Sequence, residues 1–278
     1  MLKEKSIIKI TFSALLLGRA WLLFKKPSPI TAFIYHPYLE NTWSKITGLT
    51  VENFLASTNF RAGVVLLAQA IACFLMLALF SLFFTKKTPS VVYKWLSYSV
   101  FVVLVFLSFS FYLSKNHQLV QFFEYASQMA MPLLFYAMCI KNNTLADLQI
   151  HFWIKVAIAL TFICHGLYAL GVYPQPGHFV DMMIQGFGMS EPLAKTSLKI
   201  AGGLDIIVAI GLFIPNQTIY KTSLWYLLIW GLLTTFARLV ANVDLALGWY
   251  SWQQWLPETL VRFPHFALPL LLLLEREK

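Results

Sequence analysis

Two stretches of this chain, residues 62–84 and 95–114, run the length of a membrane-spanning helix without one charged side chain. About 20 predominantly apolar residues carry an α-helix across the hydrocarbon layer of a bilayer. A helix bonds its own backbone, which lipid would otherwise leave unsatisfied. Residues 156–177 repeat the pattern with one histidine, and 222–243 with one arginine. Residues 7–24, 121–140, 197–215 and 258–274 are shorter or punctuated. The expectation is an all-α, polytopic membrane helix bundle of about eight transmembrane helices, the fourth and eighth being the weakest.

Composition supports a lipid solvent. Of 278 residues, 59% are hydrophobic and 12% charged. A soluble domain carries about 25% charged residues, so this chain has too few to coat a globule in water. The net charge of +9 does not point to nucleic acid, because no basic aromatic module accompanies it. The lysines instead flank the apolar stretches, where they meet headgroups and set orientation. The first apolar stretch follows Lys3, Lys5 and Lys9 but contains Arg19 and ends in Lys25-Lys26 without a small-residue cleavage site. It reads as a retained helix and not as a signal peptide. Cys73, Cys139 and Cys164 lie in apolar segments without a CxxC pair, so they read as small buried apolar residues.

Basic residues also orient the chain. With the N-terminus inside, the inner side holds Lys3, Lys5, Lys9, Lys86, Lys87, Lys94, Lys141, Lys155, Lys221, Arg276 and Lys278. The outer side holds Lys25, Lys26, Lys45, Arg61, Lys115, Lys195 and Lys199. The positive-inside rule then places both termini in the cytoplasm of a bacterial inner membrane and the long connections 25–61 and 173–196 outside.

The spans divide into two four-helix units, residues 1–145 and 146–278. Leu17-Gly18-Arg19-Ala20 faces Ile163-Cys164-His165-Gly166 across the repeat, Gln69 faces Asp205, Trp95 faces Trp225, and Glu124 faces Glu258. An even number of helices per unit makes the copies parallel. In the second outer connection, Phe179, Met183 and Phe187 share a stripe at helical spacing, which suits a helix lying in the interface. Val51, Phe54 and Leu55 do the same in the first. The alternative for both is an ordered loop with aromatic anchors.

Ionisable groups in lipid are costly and mark functional sites by default. Arg19, His165, Asp205, Arg238, Arg262 and His265 are the expected ligand-binding residues, joined by Gln69, Glu124, Gln128 and Glu258. Odd-numbered spans run outward and even-numbered ones inward, so these groups fall at one level, in the outer half. Thr234, Arg238 and Asn242 form one stripe, Ala201, Asp205 and Ala209 another, and Glu258, Arg262 and His265 a third. Pro264 and Pro269 are placed to bend the last helix. The expected pairs are Asp205 with Arg238, Glu258 with Arg262, and Arg19 with Glu124. Each group also has a plainer reading. Arg19 and Arg262 lie close enough to helix ends to snorkel. Asp205 with Arg238 can be a structural lock. The histidines can be hydrogen-bonding residues of a bundle instead of haem ligands. No P-loop, GxGxxG, GxSxG or HExxH occurs, so the sequence assigns no catalytic residue, metal or cofactor.

Residues 159–215 carry a recognisable pattern. An apolar helix bears Cys164-His165-Gly166-Leu167, a segment rich in Pro, Gly, Phe and Met follows, and the next helix opens Ala201-Gly202-Gly203-Leu204-Asp205. This resembles the DoxX-like superfamily of four-helix membrane proteins, which have an early Arg or His-Gly motif and then an acidic-plus-glycine motif. Asp205 follows its glycines, where the family more often has Glu before them. Arg19 fits in the first half, but Gln69 replaces the acid, so residues 1–141 resemble the family only as a degenerate copy. The resemblance implies a link to membrane oxidoreductase assemblies, among them a thiosulfate:quinone oxidoreductase, although other members have no assigned activity. The expectation is a polar chamber binding a small anionic or quinone-like molecule, with enzymatic activity undecided. The alternatives are an assembly or scaffold subunit with a membrane redox-complex partner, or a transporter that rocks the two halves.

Overall fold

The computed structural model describes residues 2–85 and 88–275. Lys86, Lys87, Arg276 and Lys278, four of the basic residues behind the inside assignment, lie outside the described residues. The fold is all-α, with no strand among the described residues. In chain order the helices are α1 (Leu2–Lys25), α2 (Ser28–Ile34), α3 (Pro37–Thr47), α4 (Val51–Ala56), α5 (Thr58–Ser81), α6 (Ser90–Ser114), α7 (Leu119–Phe123) and α8 (Ala126–Leu134). There follow α9 (Leu148–Leu170), α10 (Gly177–Phe187), α11 (Glu191–Gly211), α12 (Gln217–Asn242), α13 (Trp249–Leu260) and α14 (Phe263–Glu275).

Among the described residues, five stretches are long and apolar enough to cross a membrane: Lys3–Lys25, Thr58–Phe84, Ser90–Ser114, Leu148–Leu170 and Gln217–Asn242. α11 is long enough, but Glu191, Lys195, Lys199 and Asp205 lower its apolar character. The regions expected as the fourth and eighth spans are each broken in two. α7 and α8 meet at Glu124-Tyr125, and a π-helical turn, Phe135–Ile140, continues α8. α13 and α14 meet at Val261-Arg262.

The two breaks have different chemical causes. Pro264 offers no N–H to the carbonyl of Leu260, and its ring crowds that carbonyl, so α13 stops at Leu260. The carbonyl of Arg262 accepts instead from the His265 backbone (2.9 Å) and from Thr235 Oγ1 (3.2 Å). No proline breaks α7 from α8. There the Ser127 N–H donates to Thr161 Oγ1 on α9 (3.0 Å), and Ser108 on α6 donates to the Phe122 carbonyl (2.6 Å). Side chains of neighbouring helices thus satisfy the backbone that each break releases.

α1 and α9 form the centre. Of their apolar stretches 56% is buried, against 28% in α5, 33% in α6 and 28% in α12. α1 packs on α5 and on α13–α14, while α9 packs on α11 and on α7–α8. Glycine permits the closest of these approaches. A Cβ on Gly166 of α9 would stand 2.6 Å from the Gly202 carbonyl of α11, and one on Gly18 of α1 would stand 2.9 Å from the Pro257 carbonyl. The outward faces are strongly apolar, with Leu66, Leu77 and Phe80 of α5 exposed. Cys73 also faces outward there, whereas Cys164 is buried as expected.

Both outer stripes are helical. α4 turns its stripe inward, with Phe54 fully buried against Tyr35 and Phe60, and leaves Glu52 and Asn53 exposed. α10 turns Phe179 and Met183 inward and leaves Phe187 exposed. α3, capped by His36 and ended by Gly48 at φ 70°, has no counterpart in the sequence reading.

Candidate functional site

Two cavities meet inside the bundle, and every one of the expected ligand-binding residues lines at least one of them. The first, about 560 Å³, is polar. Arg19, Glu124, Tyr125, Tyr168, Arg238, Glu258 and Arg262 line it, together with Lys26, Lys115, Pro174 and Pro176 at the end of the bundle where α1, α6 and α9 finish. The second, about 450 Å³, is mostly apolar. It lies among α9, α10, α11, α12 and the start of α14, with Phe162, Phe179, Met182, Met183 and Ala237 in its wall. His165, Asp205, Arg238, Arg262 and His265 supply its polar atoms. Phe179, Arg238 and Arg262 line both cavities, so the partition between them is one side chain thick.

The breaks build the polar cavity. At the first, Glu124 reaches His165 (Oε1 to Nε2, 3.0 Å) and accepts from Gln121 (2.8 Å). At the second, Arg262 Nη1 donates to the Glu258 carboxylate (3.0 Å) and to the Glu258 carbonyl (2.6 Å). Arg238 approaches the same carboxylate at 3.9 Å. The Glu258–Arg262 pairing read from the sequence therefore holds. Its i, i+4 geometry survives past the end of α13 because the Val261 N–H still donates to the Pro257 carbonyl (3.2 Å) and the Arg262 N–H to the Thr259 carbonyl (3.0 Å).

The other two expected pairings do not form. Asp205 is 3% exposed and accepts from Tyr226 Oη (3.2 Å) and Trp230 Nε1 (3.3 Å). Arg238 lies two turns beyond Trp230, about 12 Å along α12 at 1.5 Å per residue. At the depth of Asp205, α12 thus presents neutral donors, and Arg238 turns to Glu258. Arg19 does not meet Glu124 either. Its Nε and Nη2 donate to Gln128 Oε1 (3.0 and 2.6 Å), and its guanidinium lies 4.7 Å above the ring of Tyr125 and 5.6 Å from that of Phe111. Glu124 is taken by His165 from the other half. Nor does Arg19 snorkel: it is 6% exposed. Gln69, the counterpart proposed for Asp205, lines neither cavity.

The histidines form a hydrogen-bonded group. His265 Nδ1 lies 2.8 Å from the Arg262 carbonyl, and the rings of His165 and His265 are 5.3 Å apart. Among the described residues no group of three or more His, Cys, Asp and Glu side chains is placed to hold a metal ion. The sequence reading missed Tyr125, Tyr168, Lys26 and Lys115. Aromatic residues pass as lipid anchors in a sequence so rich in them, and the lysines pass as orientation signals.

No family model, curated protein or solved structure matches this chain.

Proposed function

We propose that this chain is a multi-pass protein of the bacterial inner membrane, built from two fused DoxX-like four-helix units with both termini in the cytoplasm, and that its chamber binds a small anionic or quinone-like molecule at the outer end. The observation carrying this reading is the cation excess of the polar cavity. Arg19, Arg238, Arg262, Lys26 and Lys115 line it against the carboxylates of Glu124 and Glu258. Buried guanidiniums are costly unless compensated, and an anionic ligand would supply the missing charge. The order of elements supports eight crossings as two units: a central helix, a short-helix connection (α2 to α4 in the first unit, α10 alone in the second), two long helices and a broken one. The packing of α1 on α13–α14 and of α9 on α7–α8 has the form of a two-fold exchange.

Thermal denaturation in mild detergent tests the ligand reading, with inorganic phosphate and a short-chain quinone as probes. A ligand present at 100 times its Kd adds about 2.7 kcal/mol, which raises Tm by several degrees. Arg238→Ala is expected to remove that rise, and Asp205→Ala to remove it for the quinone. The reading is lost if neither probe shifts the wild type, or if both variants respond as the wild type does.

A further inference from the structure

Arg19 is a buried cation whose hydrogen-bond and ring partners are neutral. Among the described residues no carboxylate lies within ion-pairing distance of it. By contrast Arg238 and Arg262 share Glu258, and Glu124 is occupied by His165. Arg238 and Arg262 share one carboxylate and so keep part of the positive excess, but Arg19 lines the polar cavity, with Lys26, without any carboxylate partner among the described residues.

The apolar cavity opens in another direction. Its α12 wall includes Leu232, Leu233, Phe236 and Val240, which are 37, 54, 39 and 74% exposed, and its α10 rim includes Phe187, 68% exposed. These side chains belong to the outward face of α12, an apolar stretch long enough to span a membrane. The mouth thus opens sideways, through hydrocarbon-compatible side chains, at the level of the lipid. A small hydrophilic anion would have no use for this opening, whereas a molecule already dissolved in the bilayer would enter by it.

Resting on the chamber reading above, we infer that the occupant is a single amphiphile, an anionic lipid whose phosphate or carboxylate head group sits against Arg19 in the polar cavity and whose hydrocarbon tail lies in the apolar cavity behind Phe179. The partition is suited to this. Arg238 and Arg262 face both cavities and would meet the head group where it joins the tail, while Phe179 is the apolar element of the same layer. Asp205 lines the apolar cavity, on the far side of the partition from Arg19, so its carboxyl does not oppose an anion held at Arg19.

The test compares three probes by thermal denaturation of the purified protein in non-ionic detergent: inorganic phosphate, dihexanoyl phosphatidic acid and dihexanoyl phosphatidylcholine. Phosphatidic acid is expected to bind at least tenfold more tightly than phosphate, and phosphatidylcholine to give no shift. Ala237→Trp, which fills the apolar cavity, should reduce the tenfold advantage to less than twofold while the phosphate response persists. Ala201→Phe fills the same cavity from α11 and replaces the first variant if that one is not monodisperse. Arg19→Gln should weaken both anions. If phosphatidic acid binds no more tightly than phosphate, the occupant is a free anion: the amphiphile inference falls and the chamber reading stands. If phosphatidylcholine matches phosphatidic acid, the site takes hydrocarbon without regard to charge and the inference also falls. If none of the three probes nor the quinone shifts the protein, the chamber reading itself fails.

Discussion

α2 and α10 are both short helices packed against a pair of long ones, yet α10 leaves a cavity beneath its apolar face, whereas α2 meets one only at Pro29, in its first turn. α2 packs on α6 and α5; α10 packs on α12 and α11. α2 brings Ile30, fully buried, and Phe33, whose ring meets Phe106 at 5.1 Å and Phe109 at 6.3 Å. α10 brings Phe179, Met182, Met183 and Gly186, and a cavity of about 450 Å³ remains beneath it. Both parts of the chain send charge into a cavity, Arg19 and Glu124 from residues 1–145, and Asp205, Arg238, Glu258, Arg262 and His265 from residues 146–278. Their partners differ: Arg19 rests on the neutral amide of Gln128, whereas Arg238 and Arg262 share the Glu258 carboxylate. Short helices in similar packing thus border cavities of different character, polar where α2 begins and apolar under α10.

The largest expected break in this contrast comes from charge. Glu258→Ala leaves Arg238 and Arg262 without an anion and should cost about 3–5 kcal/mol, the usual penalty for removing one partner of a buried ion pair. Gln128→Ala removes a neutral partner of Arg19 and should cost about 1.5–3 kcal/mol. Reversible unfolding in mixed micelles measures both. Equal losses would mean that the halves are electrostatically alike.

Packing gives the next effect. Phe33→Ala opens a void where α2 packs on α6. Lipid does not drive burial as water does, so mainly the cavity term remains, on the order of 1–3 kcal/mol. Met183→Ala only enlarges a space already present and should cost less than about 1 kcal/mol. If Met183→Ala costs as much as Phe33→Ala, the second-half cavity is closed in the purified protein.

The smallest effects separate Gly166 of α9 from Gly203, which lies inside α11. Gly166→Ala drives a methyl into the Gly202 carbonyl and should destabilise by about 1–3 kcal/mol. A methyl group added at Gly203 would meet nothing within 4 Å, so Gly203→Ala should stabilise α11 by about 0.5–1 kcal/mol. Thermal melting of the two variants checks the signs. Stabilisation by Gly166→Ala would contradict the close packing of α9 on α11.

Of the candidate site, the residue types were legible in the sequence, because a charged side chain in an apolar run stands out; the structure brings Arg19, His165, Asp205, Arg238, Arg262 and His265 to two adjoining cavities. The Glu258–Arg262 pair was legible for a local reason: i, i+4 neighbours meet on any helix. The pairings between helices were not. Opposite charge and similar depth suggested Asp205 with Arg238, but a two-turn difference along α12 gave Asp205 to Tyr226 and Trp230. Similarly Glu124 went to His165 on the central helix of the other half, so that Arg19 fell to Gln128.

The sequence by itself determined that the chain is all-α and where its long apolar helices run, and it marked the last span for bending at Pro264 and Pro269; the structure breaks it at Pro264 and carries Pro269 inside α14. These follow from local chemistry: backbone satisfaction within a run, and a proline that cannot donate. Only the tertiary structure decided that α7 and α8 part at Glu124, since that break depends on Thr161 of a distant helix capturing the Ser127 N–H. It alone also decided that Arg19 is left without a carboxylate partner among the described residues, and that α10 leaves a cavity beneath its apolar face. Which groups meet across helices depends on relative rotation and on shifts of one or two turns, and no residue pattern along a single helix encodes them.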